Sequence, residues 1–267
     1  MSEALPPVLL VGFGKMGGAM LTGWTARGIS AAVAVDPHAS AAPPDLRLLA
    51  DAGSIAEDFR PAAVVLAIKP QMAAGILPAY ERFARAGALF VSIMAGQTEA
   101  TMNRLLGGEA AIVRAMPNTP AAIGRGFTVA CAGARVSDSQ KGLADSLLRA
   151  VGEVAWVEQE AHLDAVTAVS GGGPAYIFLL AELLERAAVE QGLPSDLARR
   201  MARATVAGSG ALLASSPEDA AVLRRNVTSP KGTTERALAV LMEETAWPAL
   251  MSRAIAAATE RSRELGG

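Results

Sequence analysis

Val11-Gly12-Phe13-Gly14-Lys15-Met16-Gly17 stands between the apolar run Pro7–Val11 and a helical segment from about Met16 to Ala26. In a strand–turn–helix unit the glycines of this spacing act differently. The first permits the tight turn, the second lets backbone approach a pyrophosphate, and the third brings helix against strand. The phosphate then rests at the helix N-terminus, where unpaired N–H groups and the helix dipole favour an anion. Outward from this loop, Val33-Ala34-Val35 reads as a second strand ending at Asp36, 24 residues after Gly12 and close to the ~20 of a dinucleotide-binding unit. Asp36 there can accept from both ribose hydroxyls and repels a 2′-phosphate, and Pro37-His38-Ala39-Ser40 carries no arginine to hold one. The same carboxylate also reads as a plain loop cap, so the choice between NADH and NADPH stays open.

Further along, Ala63–Ile68, Leu89–Ile93, Ala111–Met116, Thr128–Ala132 and Val154–Glu158 repeat the pattern of short runs apolar on both faces, separated by helical segments. A parallel sheet covered on two sides requires such strands. Beyond residue 160 no comparable run occurs, and prolines at 174, 194, 217, 230 and 248 punctuate segments of helical length. Proline lacks an N–H and suits a helix's first turn, so these mark helix starts. The expected fold is therefore α/β, a doubly wound dinucleotide-binding domain over residues 1–159 followed by an all-helical domain over 160–267. Tyr176-Ile177-Phe178-Leu179-Leu180 opens a helix apolar around most of its circumference, which predicts burial between subunits. The last helix aligns Trp247, Leu250, Met251, Ala254, Ile255 and Ala258 on one face. Ala41-Ala42-Pro43-Pro44 is the one stretch that reads as a short linker.

Composition bounds the function. The chain has 267 residues, 51% hydrophobic, with a formal net charge of −2, enough for a full core and without the basic excess of a nucleic-acid binder. A single cysteine, Cys131, forms no internal disulfide and supplies no cysteine-rich metal site; it reads as a small buried residue in a reducing compartment. His38 and His162 stand apart without carboxylates at metal spacing, so no metal is expected. Met-Ser-Glu-Ala-Leu-Pro-Pro at the start lacks a basic region and an apolar targeting core, and the uncharged stretch Ala165–Ala181 is interrupted by Gly171-Gly172-Gly173-Pro174. The expectation is a cytoplasmic protein with a small-molecule substrate, no membrane and no nucleic acid.

Ala67-Ile68-Lys69-Pro70 and Met94-Ala95-Gly96 end two of the strands, and ligands of open α/β sheets lie outside the strands' carboxyl ends, where ribose and nicotinamide would meet these loops. Of the chain's four lysines, Lys15, Lys69 and Lys231 fall in such candidate loops. Met116-Pro117-Asn118-Thr119-Pro120 holds two short polar side chains between prolines. Ser170 to Tyr176 carries three glycines that allow close backbone approach. Thr228-Ser229-Pro230-Lys231-Gly232-Thr233-Thr234 sets four hydroxyl residues before a helix, and free N–H groups with hydroxyls beside them form a receptor for a carboxylate.

Five blocks in this order resemble the pyrroline-5-carboxylate reductase family: 11–17 as quoted, Ile68-Lys69-Pro70-Gln71, Arg114 to Ala121, Asp164 to Tyr176, and Asn226 to Thr234. The last two blocks are specific to that family, whereas the first is shared by many dehydrogenases. The resemblance implies a Rossmann domain and a helical domain that dimerises by interleaving, with dimers assembling further into a ring. It implies reduction of 1-pyrroline-5-carboxylate to L-proline with NADPH or NADH, the last step of proline biosynthesis. Cofactor contacts then fall on Val11, Gly12, Phe13, Gly14, Lys15, Met16, Asp36, Ala67, Ile68, Lys69, Pro70, Ile93, Met94 and Ala95. Substrate contacts fall on Gly172, Asn226, Gly232, Thr233 and Thr234, with Glu160 near the nicotinamide end. Thr234 is the expected catalytic residue, its hydroxyl donating to the imine nitrogen or relaying a proton from water. The chain departs from the family at Gly172, where serine is usual, and at Lys231, where the first glycine of Pro-Gly-Gly is usual. Two other readings compete. A β-hydroxyacid dehydrogenase would place a lysine on the helix over 173–191, which has none. A non-catalytic nicotinamide sensor would have no need of the carboxylate receptor at 228–234.

Overall fold

A computed structural model of the chain describes residues 5–39, 43 and 46–266. Ala41, Ala42 and Pro44 of the expected linker, and the first four residues of the start, lie outside that range. Eight strands form one sheet: β1 (Val8–Val11), β2 (Ala32–Val35), β3 (Arg47–Leu49), β4 (Ala63–Leu66), β5 (Leu89–Ser92), β6 (Ala111–Met116), β7 (Gly126–Ala132) and β8 (Gly152–Val157). Their order, β3-β2-β1-β4-β5-β6-β7-β8, reverses between β1 and β4, the switch point of a dinucleotide-binding sheet. β1, β4, β5 and β6 are buried throughout because helices cover both faces, which is why these strands read as continuous apolar runs.

The sheet departs from the expected all-parallel arrangement at one pair, since β7 runs antiparallel to β6, with Met116 opposite Val129. The nine residues between these strands are too few for a parallel crossover of a dozen or more, so the chain reverses through a single tight helical segment, Thr119–Ile123. β3, not anticipated from the sequence, adds a three-residue edge, with Leu49 opposite Val35.

Helices α1 (Lys15–Ala26), α2 (Ala73–Ile76), α3 (Glu81–Arg85), α4 (Glu99–Leu105), α5 (Asp138–Leu148) and α6 (His162–Val166) flank the sheet. One apolar layer sets Met20, Leu21 and Trp24 of α1 and Leu147 and Leu148 of α5 against Leu10, Val65 and Val91. The other joins Leu9, Leu66, Phe90 and Ile112 to Tyr80, Phe83 and Met102. Trp24, fully buried, donates its indole N–H to the Leu147 carbonyl at 2.9 Å.

The remaining helices are α7 (Gly173–Glu190), α8 (Ser195–Ser215), α9 (Ala220–Asn226), α10 (Thr233–Leu241) and α11 (Trp247–Gly266). Pro174 and Pro248 occupy first turns as expected, and Pro194 caps α8, while Pro217 and Pro230 lie in the turns before α9 and α10. Two compact units emerge: residues up to Gly171 together with those from Ala258 onward, and Gly172–Ala257. The division falls beyond residue 159 because α6 packs Leu163 against Met116, Val129 and Cys131 of the sheet unit. The end of α11 joins the same unit, where the Ser262 hydroxyl donates to Asp164 Oδ1 at 2.7 Å.

Candidate functional site

At the switch point, Gly12 donates its N–H to the Val35 carbonyl and takes a φ of 95°, a left-handed conformation open to glycine. A Cβ there would meet the Ala67 carbonyl oxygen at 2.5 Å, and one on Gly17 would strike the Gly12 carbonyl oxygen. A Cβ on Gly14 would meet nothing within 4 Å. Two of the three glycines are thus dictated by packing, and the middle one leaves room at the start of α1. No side chain caps that helix, so its first N–H groups are left for an anion.

A cavity of about 490 Å³ opens beside this turn. Val11, Gly12, Gly14, Asp36, Ala67, Ile68 and Lys69 line it, all of them expected cofactor contacts. Its size, the uncapped helix and the closely packed glycine turn fit a dinucleotide. Phe13, Lys15 and Met16 belong to the same turn, and Pro70 begins the short helical turn Pro70–Met72, but these four do not line the cavity. Ile93, Met94 and Ala95 follow β5 outside it; Met94 is buried, and its N–H meets the Ser92 hydroxyl at 3.3 Å.

Another part of the lining was not anticipated from the sequence. Asp51, Met72, Ile76, Ala79 and Tyr80 supply it from segments with no glycine motif and no strand-end signal. Asp51 caps the turn Ala52–Ser54 by accepting from the Ser54 N–H, an Asp-x-x-Ser spacing that the sequence does display. Burial, and then the Asp51 charge, push the Tyr80 hydroxyl up to about 12.

Glu160 is part of a separate, polar cluster. Its Oε1 accepts from Arg114 at 2.9 Å and from the N–H of Glu99, the first residue of α4, at 2.6 Å. Arg114 is only 6% exposed on β6, so Glu160 neutralises a guanidinium deep in the sheet unit. Cys131 sits beside this pair, its thiol pushed up by burial and then by the Glu160 charge. Asn118 accepts from the Phe127 N–H at 2.9 Å and donates to the Ser170 hydroxyl at 3.2 Å, so it braces its loop.

In the helical unit, Thr233 and Thr234 form the first turn of α10 and both are exposed. Gly232 precedes them in an extended conformation with no capping side chain, and a Cβ there would collide with the Ser229 hydroxyl. Lys231 takes a φ of 62° and donates its N–H to Glu235 Oε2 at 2.8 Å. Asn226 ends α9 and donates to Glu218 Oε2 at 3.3 Å, and Gly172 precedes α7 without a side-chain cap. The turn thus offers hydroxyls, N–H groups and a lysine together.

Comparison with known proteins finds matches in both units. The family model described as pyrroline-5-carboxylate reductase dimerisation matches residues 160–265, and that described as NADP oxidoreductase, coenzyme F420-dependent, matches residues 7–96. The chain is 39% identical to the pyrroline-5-carboxylate reductase of Pseudomonas aeruginosa over 97% of each chain. A pyrroline-5-carboxylate reductase structure from Coxiella burnetii superposes with a TM-score of 0.87 at 32% identity, covering 97% of this chain and 98% of that one. A Plasmodium falciparum pyrroline carboxylate reductase structure with NADP bound gives 0.84 at 28% identity over 100% of both chains.

Proposed function

Since the chain belongs to the pyrroline-5-carboxylate reductase family, we propose that it reduces 1-pyrroline-5-carboxylate to L-proline with NADPH or NADH, the closing step of proline biosynthesis. The observation that carries this reading is the joint presence of the glycine turn with its 490 Å³ cavity and the hydroxyl-rich start of α10. When bound, a reduced nicotinamide supplies the hydride that turns the ring's C=N into C–N.

The chain's own contribution is orientation and charge. Gly12, Gly14 and the N–H groups at the start of α1 hold the diphosphate, Asp36 a ribose, and the segments 67–70 and 93–95 flank the cofactor's reactive end. Thr233, the uncapped N–H groups of the first turn of α10, Gly232 and the Lys231 side chain receive the substrate carboxylate, with Gly172 and Asn226 beside them and Glu160 toward the nicotinamide. The Thr234 hydroxyl donates to the imine nitrogen or passes it a proton from water. The functional division is a cofactor domain over 1–159 and a substrate and dimerisation domain over 160–267, in accord with the family match that begins at 160.

The protein acts as a cytoplasmic homodimer, with dimers assembling into a ring, and engages neither nucleic acid nor membrane. His162–Glu190 is a run long and apolar enough to cross a membrane, with 11% of its most apolar window buried. We read its exposed face as subunit-facing because it lies inside the dimerisation match. Isothermal titration with L-proline in the presence of oxidised cofactor tests the assignment. Saturable proline heat is expected, and its absence from a protein that binds cofactor would leave only a nicotinamide sensor.

A further inference from the structure

Two carboxylates line the same side of the 490 Å³ cavity, beyond the ends of adjacent strands. Asp36 directly follows β2, and its N–H donates to the carbonyl of Leu49, the last residue of β3, at 2.9 Å. Asp51 comes two residues after Leu49. Asp36 is aimed from both sides: the Phe13 N–H of the glycine turn donates to Oδ2 at 2.7 Å, and the His38 N–H donates to Oδ1 at 2.8 Å. Carboxylate oxygens accept more than one hydrogen bond, so each keeps capacity for a ribose hydroxyl. A carboxylate at the end of the second strand, braced against the glycine turn, stands where this fold receives the adenosine ribose.

An added 2′-phosphate would bring about −1.5 to −2 charges against this wall. Among the described residues that line the cavity, Lys69 is the one fixed positive charge. From Pro37 to Leu46 the chain has neither lysine nor arginine, and Arg47 does not line the cavity. His38 lines it, but an imidazole lacks the forked, permanently charged donor set of a guanidinium. Lys69 comes after β4, which β1 separates from β2, so the strand leading to it lies two strand spacings, ~9.6 Å, from the strand leading to Asp36.

We propose that this chain takes NADH in preference to NADPH, Asp36 accepting from the ribose hydroxyls while Asp36 and Asp51 together exclude a 2′-phosphate. The preference rests on reading the cavity as the cofactor site. It is a property of this chain rather than of the fold, since the Plasmodium falciparum structure holds NADP.

Equilibrium binding to the full chain, followed by quenching of tryptophan emission at one ionic strength, tests it without turnover. The expected Kd for NADH is at least tenfold below that for NADPH, and 5′-AMP should displace NADH more effectively than adenosine 2′,5′-bisphosphate. Asp51→Asn, which leaves the bonds to the glycine turn intact, should narrow the gap by tightening NADPH, and Asp36→Asn should narrow it further. Equal or tighter binding of NADPH would overturn the preference and leave the cofactor site standing. Failure of both cofactors to bind would remove the preference together with the site.

Discussion

Lys231 holds a φ of 62°, the one positive φ outside glycine among the described residues. That conformation costs a side-chain-bearing residue about 1–2 kcal/mol, and the Lys231 N–H bond to Glu235 helps to hold it. The replacement of a glycine was visible in the sequence through the family resemblance, whereas the retained left-handed conformation was not, because a backbone angle follows from the whole turn. Thr234 was legible as a chemical candidate because hydroxyl residues crowd that turn. Thr234→Ala should lower kcat tenfold or more, about 1.4 kcal/mol per decade, with a circular dichroism spectrum like that of the parent; steady-state rates check this, and unchanged turnover removes Thr234 from the mechanism. Tyr80 gave no signal in the sequence, since its role depends on Asp51 arriving from another segment. Because burial and Asp51 favour the neutral phenol, the unfolded chain releases this proton first as pH rises. Tyr80 therefore adds stability that is complete below about pH 10 and lost toward about 12. Urea unfolding across that window should show a steeper loss for the parent than for Tyr80→Phe, and parallel curves would refute the linkage.

At the scale of elements, seven of the eight strands could be read in advance, β1, β4, β5 and β6 because burial on both faces demands largely apolar residues. β3 escaped because Arg47-Leu48-Leu49 is too short to show a period, and its pairing with β2 is a tertiary fact. The antiparallel turn into β7 escaped for a related reason: strand direction is set by the length of the connection rather than by the strand's own residues. Glu160 was expected near the substrate, and its link to Arg114 was invisible because the two residues are 46 positions apart. Glu160→Gln keeps the shape but strands a guanidinium inside β6. A fully buried pair loses about 3–5 kcal/mol on such a change; the Glu160 side chain is 35% exposed, so about 2–3 kcal/mol is expected here. Chemical denaturation should show the fall, and an unshifted midpoint would mean that the pair does not hold β6 to α4.

For the whole molecule, Gly172–Ala257 buries only Ala198 and Ala202 of its apolar residues within one chain. Phe178 is 68% exposed on α7, with Ile177, Leu179 and Leu183 exposed beside it. Such a surface exceeds what a soluble monomer ordinarily shows, and it lies within the stretch that matches the dimerisation family model. The apolar face itself was legible in a helix apolar around its circumference, while the boundary of the unit was not, since it depends on α6 and the end of α11 packing onto the sheet unit. Phe178→Asp should convert a dimer to a monomer or to aggregate in sedimentation runs, and an intact dimer would place the interface elsewhere. The reaction itself is tested most directly by mixing the purified chain with 1-pyrroline-5-carboxylate and NADH or NADPH, following loss of the reduced cofactor and counting L-proline. Oxidation only in the presence of the imine, with one proline formed per cofactor consumed, is the expected result; no imine-dependent oxidation with either cofactor would contradict it.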